Sequence, residues 1–155
     1  MADGQGNSTM ITRETRNLIG RESEAVIWPV ERGAIRKVLR ALQDNGPQWK
    51  DLDDAASGTT VLVPPAYFMS IRAPELKDVK IDVPLRRSVA GGEEWSFFGP
   101  LRMSLGSSVV VKRRLSDIQE KQGKAGPMLL ITYEDRFESE TGQALASRRT
   151  TLIRL

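Results

Sequence analysis

The chain contains no cysteine and no histidine. Without thiols there is no disulfide framework, and without thiolate or imidazole ligands most zinc, haem and iron–sulfur chemistry is excluded. Any metal would have to be held by carboxylates alone. No apolar run is long enough to span a bilayer, and no Arg-rich or Ala-x-Ala leader opens the sequence. These absences predict a soluble, cytoplasmic protein with no membrane association. A strong excess of one charge is also missing: 23 Lys and Arg face 20 Asp and Glu, for a net charge of +3. That balance admits a phosphate-bearing ligand and does not call for nucleic acid.

What is present fits one domain of 155 residues, enough for a real core and too few for two ordinary domains. The opening MADGQGNSTM is small, polar and aperiodic, so residues 1–10 are expected to be a disordered leader and residues 11–155 the domain. SEAVIW (23–28) reads as a short strand closed by Pro29. Beyond it, Ala34, Ile35, Val38, Leu39 and Leu42 recur at helical spacing opposite a charged face, and Asn45-Gly46 is the predicted stop. DLDDAAS suggests a second short helix ending at Gly58. A third, over Pro65 to Arg72, begins where proline suits a first helical turn and carries Tyr67, Phe68 and Ile71 into the interior.

Residues 74–90 are punctuated by proline and weakly patterned, and read as a connector or flap. The remainder is strand-like: 93–98, 107–121, 127–139 and 144–155, the last three joined by hairpin-length loops into an antiparallel meander. The predicted class is therefore α+β, with a curled antiparallel sheet around an apolar helix.

The order of these signals carries a resemblance. IGRESEAVIWPVERGAIRKVLRAL, then QDNGPQWKD, then VPPAYF, then the long strand-rich stretch from Gly99 to Arg154 resembles the MaoC-like dehydratase N-terminal domain family. The likeness covers nearly everything from Gly20 onward. It implies a single hotdog fold, a curved antiparallel sheet wrapped around a central helix. It also implies work on acyl thioesters of coenzyme A or acyl carrier protein, by (R)-specific hydration of an enoyl group or dehydration of a 3-hydroxyacyl group. No cofactor is implied beyond the thioester substrate. The implied partner is a second hotdog chain, in a homodimer or heterodimer.

Hydration needs a base to take a proton from water, a donor for the α-carbon, and hydrogen-bond donors to hold the thioester oxygen as enolate charge develops. The resemblance puts the first task on a loop of the form Asp-x-Asn-Pro-x-His and the last on backbone N–H groups at the start of the central helix. Asp44 matches the loop's Asp and Pro47 its Pro, but Gly46 replaces the Asn and Trp49 stands in place of the histidine. An indole accepts no proton at any useful pH. At the helix start, Pro65 takes the position where active relatives carry glycine, and proline has no N–H.

Each candidate has a plainer reading. Asp44 precedes Asn-Gly and also suits a turn; Trp49, Tyr67 and Phe68 suit core packing as well as an acyl channel. Glu93 and Glu94 form an adjacent pair near a strand end, where alternation would send one side chain inward to serve as acid or base; the plainer reading is a solvated edge. Arg113, Arg114, Lys121, Lys124, Arg148 and Arg149 lie on strands and hairpin loops, where they can meet a coenzyme A phosphate or an acidic carrier, or simply form a charged face. Three functions compete. The chain is the non-catalytic, acyl-binding half of a two-component hydratase or dehydratase; a self-sufficient homodimeric enzyme using Asp44, Glu93 or Glu94; or a non-enzymatic acyl-CoA-binding hotdog.

Overall fold

Alternating apolar residues over the last third of the chain produce three long strands that pair with their sequence neighbours. A computed structural model describes residues 9–155. In it β5 (Ser108–Gly123), β6 (Gly126–Ser139) and β7 (Ala144–Arg154) form the expected meander. The leader expected over 1–10 falls mostly outside the described residues. At its end, the Thr9 hydroxyl and the Met10 N–H both donate to the Glu120 carboxylate at 2.8 Å.

Two more strands complete the sheet. β1 (Val26–Pro29) pairs with β5, and β3 (Ser88–Phe97) pairs with β7, giving the antiparallel order β1-β5-β6-β7-β3. β3 takes in the end of the presumed connector. Periodicity misses it because Ser88 to Glu94 are all exposed along this edge, so no alternation is printed in the sequence. A bulge between Ala90 and Gly92 bends it. Glycine is required there, since a Cβ on Gly91 would sit 2.8 Å from Ile153 and 3.1 Å from the Thr151 carbonyl. A two-stranded ribbon, β2 (Thr60–Leu62) with β4 (Arg102–Ser104), closes one end; β4 is too short to announce itself.

Among the described residues four short α-helices lie outside or under the sheet: α1 (Arg13–Arg16), α2 (Arg32–Leu42), α3 (Asp51–Asp54) and α4 (Pro65–Met69). α2 ends before the predicted Asn45-Gly46. Gln43 adopts φ 55°, its N–H bonds the Arg40 carbonyl, and the Asp44 N–H reaches back to the Leu39 carbonyl at 2.9 Å. This is a Schellman closure with glutamine in glycine's usual place. Leu42, beyond the buried stripe, is left exposed. α4 is also shorter than expected, although Ile71 still packs inside. Phe68 is fully buried, edge-on to Phe97 and Phe137 with ring centroids 6.3 and 6.1 Å away. The sheet thus curls around a helical layer of α2 and α4, as the hotdog expectation required.

The concave face carries two apolar clusters. The first joins α2 and α4 to Val109, Val111 and Phe137. The second joins Leu115, Ile118, Leu129 and Ile131 to Ile11 and to the irregular segment bearing Ile81. Between them, in one row across three strands, lie Arg113, Asp135 and Arg148. Asp135 is completely buried on the central strand and accepts from Arg113 at 2.7 and 3.0 Å and from Arg148 at 2.7 Å. Removing a buried ion's partner is costly because the remaining charge keeps its desolvation penalty. We expect Asp135→Ala to lower unfolding free energy by about 3 kcal/mol, and replacement of all three charges by apolar residues to recover most of it. Urea unfolding checks this, and a single-variant loss within about 0.5 kcal/mol would count against it.

Candidate functional site

The loop between α2 and α3 was expected to carry acid–base chemistry. Asp44 is half-buried, and one of its carboxylate oxygens accepts from the Gly46 N–H at 3.0 Å. This is the turn role, an aspartate satisfying backbone two residues on. The Gln48 amide folds over Gly46, in the space a Cβ would need. A 3-10 turn over Pro47–Trp49 then drives the Trp49 indole into the first cluster, where it is 7% exposed. Its carbonyl accepts from Arg36 at 3.2 Å, and Arg36 in turn pairs with Asp53, clamping the loop to α2. Trp49, at the position where the resemblance places the base, is therefore a packing anchor.

At the start of α4, Pro65 is exposed at the first helical position and Pro64 precedes it. Neither has an N–H, and the Tyr67 N–H already bonds the Pro64 carbonyl at 2.9 Å. Ala66 is the first residue of the helix able to donate. Tyr67 and Phe68 both point inward, and the Tyr67 hydroxyl donates to the Pro29 carbonyl at 3.1 Å, tying α4 to β1. Burial pushes the Tyr67 phenol above its ordinary value of 10.0, with the Glu31 carboxylate adding to the effect.

The six basic residues do not converge. Arg113 and Arg148 face the concave interior, committed to Asp135, with Arg113 over the Tyr133 ring and Arg148 over Trp95. Arg114 and Arg149 occupy the opposite face, paired with Glu134 at 3.0 Å and Glu94 at 3.7 Å. Lys121 and Lys124 are exposed at the β5–β6 hairpin, roughly 25 Å along the strand from Arg113. The six residues thus fall in three separate places, because strand alternation and strand length divide residues that lie close in sequence. Glu93 and Glu94 are both exposed on the edge strand β3, the solvated-edge arrangement, and neither turns into the interior as an acid–base role would need. Among the described residues no three acidic side chains gather as a metal site.

Asp135 was not singled out by sequence reasoning. The signal was there: it falls in phase with Ile131 and Phe137 on β6, opposite arginines that fall in the apolar phase of their own strands.

Two cavities border these elements. One, of about 690 Å³, lies beside Trp49, Leu52, Val61 and Leu62. The other, of about 420 Å³, opens between residues 21–28 and residues 72–79 just past the end of α4.

With this geometry in view, comparison with known proteins is informative. The family model for the FAS1-like dehydratase domain region matches residues 17–148. No curated protein sequence matches the chain. Among solved structures, the fold is similar to the ChsH1–ChsH2 complex from Mycobacterium tuberculosis, at 16% identity and TM-score 0.65 over 92% of this chain and 87% of that one. It is also similar to a MaoC-like dehydratase from Rhodospirillum rubrum (16%, TM-score 0.61, 88% and 92%). The C-terminally truncated HadBC (3R)-hydroxyacyl-ACP dehydratase complex from Mycobacterium tuberculosis gives 15%, TM-score 0.59, 88% and 96%. At these identities the likeness concerns the fold.

The raised Tyr67 pKa has a measurable consequence. Between the ordinary phenol value and the raised one, the folded state keeps a proton that the unfolded chain has lost, so stability is full below pH 10.0 and falls as pH climbs through the folded value. Denaturation midpoints followed from neutral pH upward should fall more steeply for the native sequence than for Tyr67→Phe. Parallel curves would contradict the assignment.

Proposed function

The chain belongs to the FAS1-like dehydratase domain region family, and from that premise we propose that it is the histidine-free half of an (R)-specific enoyl-thioester hydratase or 3-hydroxyacyl-thioester dehydratase. In this reading it holds the acyl group while a histidine-bearing hotdog partner supplies the base. The observation that carries the proposal is the fate of the expected catalytic loop: Trp49 is sunk in the core and Asp44 is spent on a turn. The missing N–H of Pro65 weakens the oxyanion site as well.

A two-chain assembly suits the rest of the molecule. β3 leaves a ten-residue edge unpaired on its outer side among the described residues, and an exposed edge of that length calls for cover. Two of the similar structures are named as two-component complexes. The thioester's carrier is coenzyme A or acyl carrier protein. Of the six basic residues, the exposed Lys121 and Lys124 are the two in no ion pair among the described residues, and in this reading they meet its phosphates, an attraction that weakens with salt. The self-sufficient reading draws less support, because Glu93 and Glu94 lie in solvent and neither faces a cavity wall with Asp44.

The test is hydration of crotonyl-CoA by the chain alone, by a histidine-bearing MaoC-like chain from the same source, and by the two co-expressed. General-base catalysis typically contributes about 10²–10⁴-fold and one oxyanion donor about 10²–10³-fold, so the isolated chain should run at background. The mixture should exceed either component. Trp49→His should restore no activity and should destabilise the fold, since it removes a core indole. Robust hydration by the pure protein that vanishes in Asp44→Asn would replace this proposal with the self-sufficient enzyme.

A further inference from the structure

The outer face of the sheet carries apolar residues that the hydratase reading does not use. Leu129 and Ile131 are buried on the inner face, so by alternation Met128 and Leu130 point outward. The register sets Gln119, Leu130, Ile153 and Val89 side by side on that face, in one row across β5, β6, β7 and β3. The next row, toward the β5–β6 hairpin, runs Lys121, Met128, Leu155, Arg87. In it Lys121 pairs with Met128, while Leu155 and Arg87, one residue past the end of β7, exchange both backbone hydrogen bonds at 2.9 and 3.2 Å. Val89 and Leu155 are each 40% exposed, and neither core cluster includes any of these five apolar side chains. Gly91, beside Ile153, adds nothing to cover it.

Cations border this strip on both sides. Lys121 stands at the β5 margin and Arg87, with Arg86 next to it in the chain, at the β3 margin; among the described residues none of the three is in an ion pair. From Lys121 to Arg87 is three strand spacings, about 14 Å. The acidic groups of β5 at this end are already engaged. Glu120 faces inward and accepts from Thr9 and Met10, and Asp117, one row further along the strip, accepts from the Ile118 N–H and the Gln119 amide. The surface is therefore apolar in the middle and positive, without partners, at both margins.

An α-helix is about 10–12 Å across with its side chains. Laid along the strands over β6 and β7, it sets an apolar stripe on Met128, Leu130 and Ile153 and brings both its flanks within reach of the charged margins. Carboxylates on those flanks complement the unpaired cations. A second copy of this chain fits worse, because two sheets stacked with strands aligned about a two-fold would set Lys121 against Arg87 of the other copy. A lipid surface also fits worse, because the strip has no aromatic side chain and lies on a sheet, without an amphipathic helix to bury in the headgroups. We propose that this outer strip, bounded by Lys121 and Arg87, docks an acidic amphipathic helix of another protein. The inference goes beyond the thioester reading and stands apart from it, with Lys121 the one residue the two share. Pairing along the β3 edge runs in the plane of the sheet and leaves this face open.

The test is fluorescence anisotropy of a labelled synthetic helix of about 18 residues, with leucine along one face and glutamate on both flanks, titrated with the full chain. Saturable binding that weakens as salt rises is expected. Val89→Asp, which places a carboxylate in the strip, should weaken binding at least about tenfold, and Arg87→Glu about fivefold. Both positions are exposed, so both variants should keep the circular dichroism of the native chain, and two variants keep the result from depending on one of them folding. The assignment is overturned if the native chain shows no saturable binding, if a scrambled peptide of the same composition binds equally well, or if affinity ignores both substitutions. Binding of anionic phospholipid vesicles, or self-association in sedimentation, without binding of the peptide overturns it as well.

Discussion

The fold turns on one buried carboxylate. Asp135 sits on the middle strand, wholly out of water, and holds two guanidinium groups from the strands on either side. Desolvating such charges is expensive, and the arrangement survives because every contact is charge-assisted and aligned across the ladder. The surplus positive charge is spread over aromatic faces: Arg113 over Tyr133 at 5.2 Å, and Arg148 over Trp95 at 5.1 Å and Phe137 at 5.8 Å. Because Phe137 belongs to the first apolar cluster and Tyr133 packs on the second, the polar row joins the two halves of the core and fixes the register of three strands at once.

That division of the concave face shapes everything laid on it. Over one half, α2 and α4 supply regular cover, pinned by the Tyr67 hydroxyl on β1 and by Arg36 on the loop carbonyl of Trp49. Over the other half α4 gives no cover, because it stops at Met69, and the chain from Leu76 to Leu85 lays apolar side chains on the sheet without regular structure. The cavity past the end of α4 lies where one kind of cover gives way to the other. The short helix and the cavity thus have a common origin.

The loop from Asp44 to Trp49 serves a structural purpose. An imidazole at position 49 would need to stand at the surface of a cleft, but an indole there is large and apolar enough to be buried, and burying it draws Pro47 to Trp49 into a tight turn. Asp44 then has no imidazole beside it and closes a turn with Gly46. Proline at the helix start makes a similar exchange, stiffening the first turn of α4 while removing a donor.

Much of this was readable in advance. Composition excluded histidine and thiol chemistry, period-two patterns marked β5, β6 and β7 within two residues of their ends, and helical spacing found the buried Ile35 and Leu39. That Trp49 cannot serve as a base and that Pro65 offers no N–H is likewise a matter of residue identity, because no conformation lets tryptophan accept a proton or proline donate one. What only the tertiary structure decided is which neighbours each side chain meets. Strand alternation sent Arg113 and Arg148 inward and Arg114 and Arg149 outward, a left-handed Gln43 ended α2 early, and an uncovered edge hid β3 from any periodic signal. Those outcomes depend on contacts between residues far apart in the chain, Arg113 with Asp135 and Asp135 with Arg148, and local sequence carries no term for such distant pairs.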